Sequence, residues 1–154
     1  MELFLIRHAS AEDGEDDDAR ALSEKGRQRF GQVVRGLDAL GVRFDRVLHS
    51  PKLRAVQTAE LLAPLIDGEV EVTALLAAAP SQRLLKQVAG EHVALVGHQP
   101  WLGELLGLLL AGDARHGAAF ELKKGAVARL EGDCAPGAMR LLALLQPGTL
   151  RRVR

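Results

Sequence analysis

The chain has 154 residues, 47% of them apolar and 26% charged, a composition that excludes a disordered chain and suffices for one folded domain, residues 1–154. Twenty basic residues balance twenty acidic ones, so no overall field draws the protein to nucleic acid or to an anionic membrane, and 3% aromatic content without tyrosine offers no stacking surface for single strands. The one cysteine, Cys134, rules out an internal disulfide, no apolar run nears the roughly 20 residues of a membrane span, and the expected location is the cytoplasm.

Along the chain, strand-like and helix-like stretches alternate. Glu2–Ile6 is a short apolar strand. Ser23 caps a helix whose apolar positions Phe30, Val33, Val34, Leu37 and Leu40 recur at helical spacing, with Gly41 at its end. Phe44–Leu48 is a second strand, and Pro51 fits the first turn of a helix that stops near Pro64. Glu69–Val72 is a weak third strand; Pro80 precedes a helix to about Val88, and His92–Val96 is apolar enough for a central strand. Pro100 opens a leucine-rich helix, and Ala126–Leu130 and Met139–Leu145 form an antiparallel hairpin across the turn-rich "EGDCAPGA". This order predicts a three-layer α/β/α sandwich with a mostly parallel central sheet and a C-terminal antiparallel hairpin. The acidic run "EDGEDDD", residues 12–18, reads as a solvated loop.

Three strand ends carry similar chemistry. The first strand ends in Arg7-His8, the second in His49-Ser50-Pro51 with Arg54 one helical turn on, and the fourth in "VGHQP", which places His98 just past its tip. Ligands of open α/β sheets bind beyond the carboxyl ends of the strands, so parallel strands gather Arg7, His8, Arg54 and His98 at one edge. Two guanidiniums and two imidazoles without a matching carboxylate make a site for phosphate or a similar oxyanion, which arginine grips bidentately. A metal site is disfavoured: no H-x-x-x-H pair occurs, and the arginines repel a cation. His49, His92 and His116 have no such company.

The blocks "LIRHA", "LSEKGRQR", "VLHSPKLRAVQTA" and "ALVGHQP", in this order, resemble the signature of the histidine phosphatase superfamily, the branch that also holds the phosphoglycerate mutases. The short chain and the "RHASAE" start are most similar to the SixA-type phosphohistidine phosphatases. The resemblance implies that His8 is a nucleophile forming a covalent phosphohistidine, with its tautomer fixed by a backbone carbonyl at the other ring nitrogen. It implies that Arg7 and Arg54 hold the phosphoryl oxygens, that His98 completes the pocket, protonated while the anion is bound, and that Ser50 and Gln99 belong to the substrate-binding set. It implies no cofactor.

Departures from the family pattern narrow the substrate. Relatives place a glutamate proton donor after the third strand, but "VTALLAAAPSQRLL" contains no acid, and Gln99 stands where acid phosphatases carry aspartate. Glu12 and Asp13 are the remaining candidates for a proton donor. A phosphoramidate protonates on its own nitrogen and needs little help, which favours a phosphohistidine-bearing protein as partner over an alkyl phosphate. The sequence leaves little chain for a cap, so a shallow, open site is expected. A small-molecule phosphomonoesterase, a mutase and an inactive phosphate-binding module are the alternatives.

Overall fold

The sheet is organised by side chains that alternate along strands buried on both faces. The computed structural model describes residues 1–154. In chain order it comprises β1 (Glu2–Arg7), α1 (Glu24–Ala39), β2 (Phe44–His49), α2 (Leu53–Leu61), β3 (Ile66–Val72), α3 (Gln82–Gln87), β4 (His92–Gly97), α4 (Trp101–Ala111), β5 (Val127–Gly132), β6 (Met139–Leu145) and α5 (Pro147–Leu150). Phe4 and Ile6 of β1 join Val47, Ala94 and Val96 in a core under α1 and α2. Leu3 and Leu5 point the other way, to a second core with Leu48, Val93, Leu95 and the α4 leucines 102, 105, 106 and 109. The result is the expected three-layer sandwich.

The six strands lie in the order β3-β2-β4-β1-β5-β6. The first four are mutually parallel, and β5 runs antiparallel to β1 and to β6. Register sets the site: Arg7 lies opposite Gly97, and His49 opposite Val96, so His8, Ser50 and His98 all step off the sheet at one edge.

Some local expectations shift. The third strand starts at Ile66 rather than Glu69. Asp67, Gly68 and Glu69 break the apolar pattern there, but the strand is an edge and tolerates polar residues. Gly68 is required because a Cβ at that point would lie 1.8 Å from the Asp45 carbonyl oxygen. Pro51 is not in the first turn of α2, since Lys52 is the residue before the helix and Ser50 Oγ accepts from the Lys52 N–H at 3.2 Å. Ser23 caps α1 as expected, accepting from the Gly26 N–H, and Gly41 follows with φ of 73°. The acidic run is not wholly a solvated loop: Asp17–Ala19 forms a 3₁₀ turn capped by Asp16, whose side chain accepts from the Asp18 N–H. Between β3 and β4 there is only a 3₁₀ turn and the six-residue α3. No helix is long and apolar enough to cross a membrane.

Candidate active site

His8 is delivered by the end of β1 and fixed from two sides. Its Nδ1 lies 2.7 Å from the Ala9 carbonyl oxygen. A carbonyl only accepts, so Nδ1 carries the proton and Nε2 keeps a free lone pair. The Ala9 N–H donates to Thr58 Oγ1 at 3.0 Å, and that hydroxyl donates to the Arg54 carbonyl at 2.7 Å. Thr58, fully buried, therefore braces the His8 loop against the helix that carries Arg54.

His98 sits beside His8, with ring centroids 5.1 Å apart. Its Nε2 is 2.7 Å from Ser50 Oγ, while its Nδ1 is buried with no protein partner. Arg7 spends Nη1 on the Leu122 carbonyl at 2.8 Å, and its Nε is likewise buried and unpartnered. Arg54 Nε is the third such atom at this edge. Buried donors without partners are rare and call for a reason. Here three of them belong to three residues gathered at one edge of the sheet, which is the donor set a tetrahedral oxyanion uses.

Both imidazoles are held neutral. Burial, reinforced by Arg54, Arg7 and Lys124, pushes the His8 pKa down to about 4 despite the Ala9 hydrogen bond. Burial next to His8, Arg54 and Lys52 pushes His98 down to about 3. A neutral His98 with its proton on Nδ1 and its Nε2 accepting from Ser50 already donates to an anion, so a charged ring is not needed for the contact.

The acidic run supplies a residue that sequence reasoning did not single out. The Asp17 carboxylate accepts from Lys52 Nζ at 2.9 Å, Arg54 Nη2 at 3.2 Å and Arg20 Nη1 at 3.1 Å, and the Asp17 carbonyl accepts from Arg54 Nη1 at 2.7 Å. These cations, Lys52 foremost, hold the carboxyl far below the usual carboxylate range. It is an anchor for Arg54 and is always ionised, not a proton donor. No periodicity marks it, because an acidic run looks the same whether one member is bound or none is. Lys52 also lies 5.7 Å from the Trp101 ring, whose edge meets His98 at a centroid distance of 6.2 Å.

Of the remaining sequence candidates, Ser50 belongs to the cluster through His98, and Gln99, Glu12 and Asp13 do not bond to it. Ser50 is fully buried behind His98. Gln99 spends its amide on backbone, accepting from the Gly103 N–H at 2.7 Å and donating to the Phe120 carbonyl at 3.2 Å. Glu12 and Asp13 are exposed, and neither side chain has a hydrogen-bond partner or ion pair. No three His, Cys, Asp or Glu side chains cluster as a metal site requires.

Residues 3–79 match the histidine phosphatase superfamily (branch 1). A protein of Picosynechococcus sp., itself uncharacterised, is 36% identical over 155 residues, covering 88% of this chain and 87% of that one. The chain belongs to the histidine phosphatase superfamily. The structure of the protein histidine phosphatase SixA complexed with tungstate is 27% identical and superposes with a TM-score of 0.80 over 97% of this chain and 99% of that one. A putative phosphohistidine phosphatase SixA from Agrobacterium tumefaciens is 26% identical, with a TM-score of 0.78 over 96% and 98% of the two chains. The α/β sandwich with its antiparallel hairpin is thus a SixA-like histidine phosphatase fold, and its site chemistry supports phosphatase activity.

Proposed function

We propose that this histidine phosphatase hydrolyses phosphohistidine on a protein, through a covalent phosphoryl-enzyme formed on His8. The observation that carries the reading is a neutral imidazole with a free Nε2 beside three buried, unpartnered donors on Arg7, Arg54 and His98. Nε2 attacks phosphorus as the P–N bond to the substrate imidazole breaks, and the donors stabilise charge on the equatorial oxygens. Water then attacks the His8–phosphoryl bond, which releases phosphate and restores the ring.

The protein-borne substrate is favoured by the lack of a proton donor. Asp17, the acid bound within the site, is held ionised by Lys52, Arg20 and Arg54 and cannot protonate a leaving group near neutral pH. A leaving imidazole accepts a proton on its own nitrogen, whereas an alkoxide needs one delivered. The short β3–β4 connection, a 3₁₀ turn and one six-residue helix, adds no inserted domain to enclose a metabolite.

The test is a panel of phosphohistidine protein, p-nitrophenyl phosphate and sugar phosphates under one set of conditions, alongside rapid quenching. Turnover should fall along that series by about 10²–10⁴-fold, the contribution general acid catalysis normally makes. An acid-labile, base-stable phosphoryl group should be trapped on the wild type and be absent from His8→Ala. Sugar phosphates cleaved as fast as phosphohistidine would sink the substrate assignment, and an active His8→Ala would sink the nucleophile.

A further inference from the structure

On the α1 side of the His8 loop lies a cavity of about 90 Å³, bounded by Ala9, Ser10, Gly26, Phe30, Val33, Gly125 and Pro147 together with three cations, Arg29, Lys124 and Arg151. No acidic residue lines it. In a protein with equal numbers of acidic and basic residues, many cations are neutralised locally: Arg20, Arg43, Arg46, Lys52, Arg54, Arg115, Arg129 and Arg140 all pair with a carboxylate. Arg29, Lys124 and Arg151 make no ion pair, and none of their side chains donates a hydrogen bond within the protein. Arg29 and Lys124 are exposed at its rim and Arg151 is half-buried, so the three give the cavity a positive field that no carboxylate of its lining offsets.

The walls are set by close packing. A Cβ on Gly26 would lie 2.1 Å from the Ser10 carbonyl oxygen, so α1 is pressed against the segment that follows His8. Ser23 Oγ donates to that same carbonyl at 3.4 Å. On the opposite wall the Gly125 N–H is shared between the Arg7 and His8 carbonyls, at 3.0 and 3.1 Å. The volume has room for one tetrahedral oxyanion in place of a few waters.

We propose that this cavity is a second oxyanion site, distinct from the one at His8, taking a phosphate-class group through Arg29, Lys124 and Arg151. It shares the His8 loop as a wall, but none of Arg7, His8, Arg54 and His98 lines it, so the two sites fill separately. The proposal does not depend on what the catalytic site hydrolyses.

The experiment is a titration of the ¹⁵N-labelled full chain with inorganic phosphate, followed by amide shifts. Two sets of amides should saturate independently: Gly97 and His98 at the catalytic edge, and Gly26 and Phe30 at the cavity. In Arg29→Gln/Arg151→Gln the second set should weaken by at least about tenfold, as expected for lost charge-assisted contacts, while the first set is unchanged and reports an intact fold. Responses confined to Gly97 and His98, an unchanged Gly26 and Phe30 response in the double variant, or loss of both sets together would each overturn it.

Discussion

Burying two neutral imidazoles makes folding sensitive to mild acid. His8 and His98 are 5% and 3% exposed, and their pKa values are pushed down to about 4 and about 3. In the unfolded chain both rings titrate near 6.5, so between that value and the folded ones the unfolded state binds more protons. Stability is therefore complete above about pH 7 and is lost as pH falls. From pH 7 to pH 5 linkage gives about 2 kcal/mol for His8. His98, shifted chiefly by its burial, has its folded value below the same window and contributes about as much, so the pair contributes about 4 kcal/mol. Carboxylates do not confuse this window: Glu2, Asp17 and Asp113, whose values are lowered, begin to matter only below about pH 4.5. The assay is urea unfolding at pH 7 and pH 5, in wild type and in His8→Gln/His98→Gln. The wild type should lose about 4 kcal/mol, a large part of a typical 5–15, and the double variant well under 1. Equal losses in the two proteins would refute the reasoning, because the protons would then be taken up elsewhere.

The Arg54→Lys variant should lose about a hundredfold in kcat/KM, since an ammonium reproduces neither the fork nor its Nε donor; near-normal kinetics would show that Arg54 does not face the phosphoryl group. Asp17→Asn should leave the dependence of rate on leaving group unaltered while reducing stability by no more than about 1 kcal/mol, as for other partly exposed ion pairs, and a selective loss with poor leaving groups would make Asp17 the missing acid. The single tryptophan, Trp101, stands edge-on to His98, so its emission should change saturably with tungstate and be restored by competing phosphate. A silent Trp101 in a protein that binds tungstate by calorimetry would place the anion elsewhere.

The sheet is legible because Leu3–Ile6 and Val93–Val96 are unbroken apolar runs and Val47-Leu48 follows Asp45-Arg46 on a third strand; these strands end on Arg7-His8, Gly97-His98 and His49-Ser50, and parallel pairing turns those ends into one edge. The third strand is longer than its apolar pattern because Asp67 to Glu69 lie on an edge, where burial no longer dictates residue type. The site was legible as far as its cations. Its bracing was not: Thr58 sits inside a quoted block, but only the fold shows that it bonds both the His8 loop and the Arg54 carbonyl. Asp17 was hidden among five other acids, and what distinguishes it is the proximity of Lys52 and Arg54, 35 and 37 residues away in sequence. Gln99 looked like a pocket residue from its place after His98; the turn into α4 uses its amide instead.

The strand order β3-β2-β4-β1 has a consequence for how the molecule is made. The strands bearing Arg7 and His49 emerge early from the ribosome, but they never touch, because the later strand ending at Gly97 lies between them. Until synthesis has passed Gly97, each exposes a bare edge of backbone donors and acceptors, the kind of surface on which chains aggregate. Insertion of that strand closes both edges and, in the same event, brings His98 beside His8. Recovery of turnover after dilution from denaturant therefore times the arrival of the middle strand, and a fragment ending before residue 92 should bind chaperone and show no activity at all.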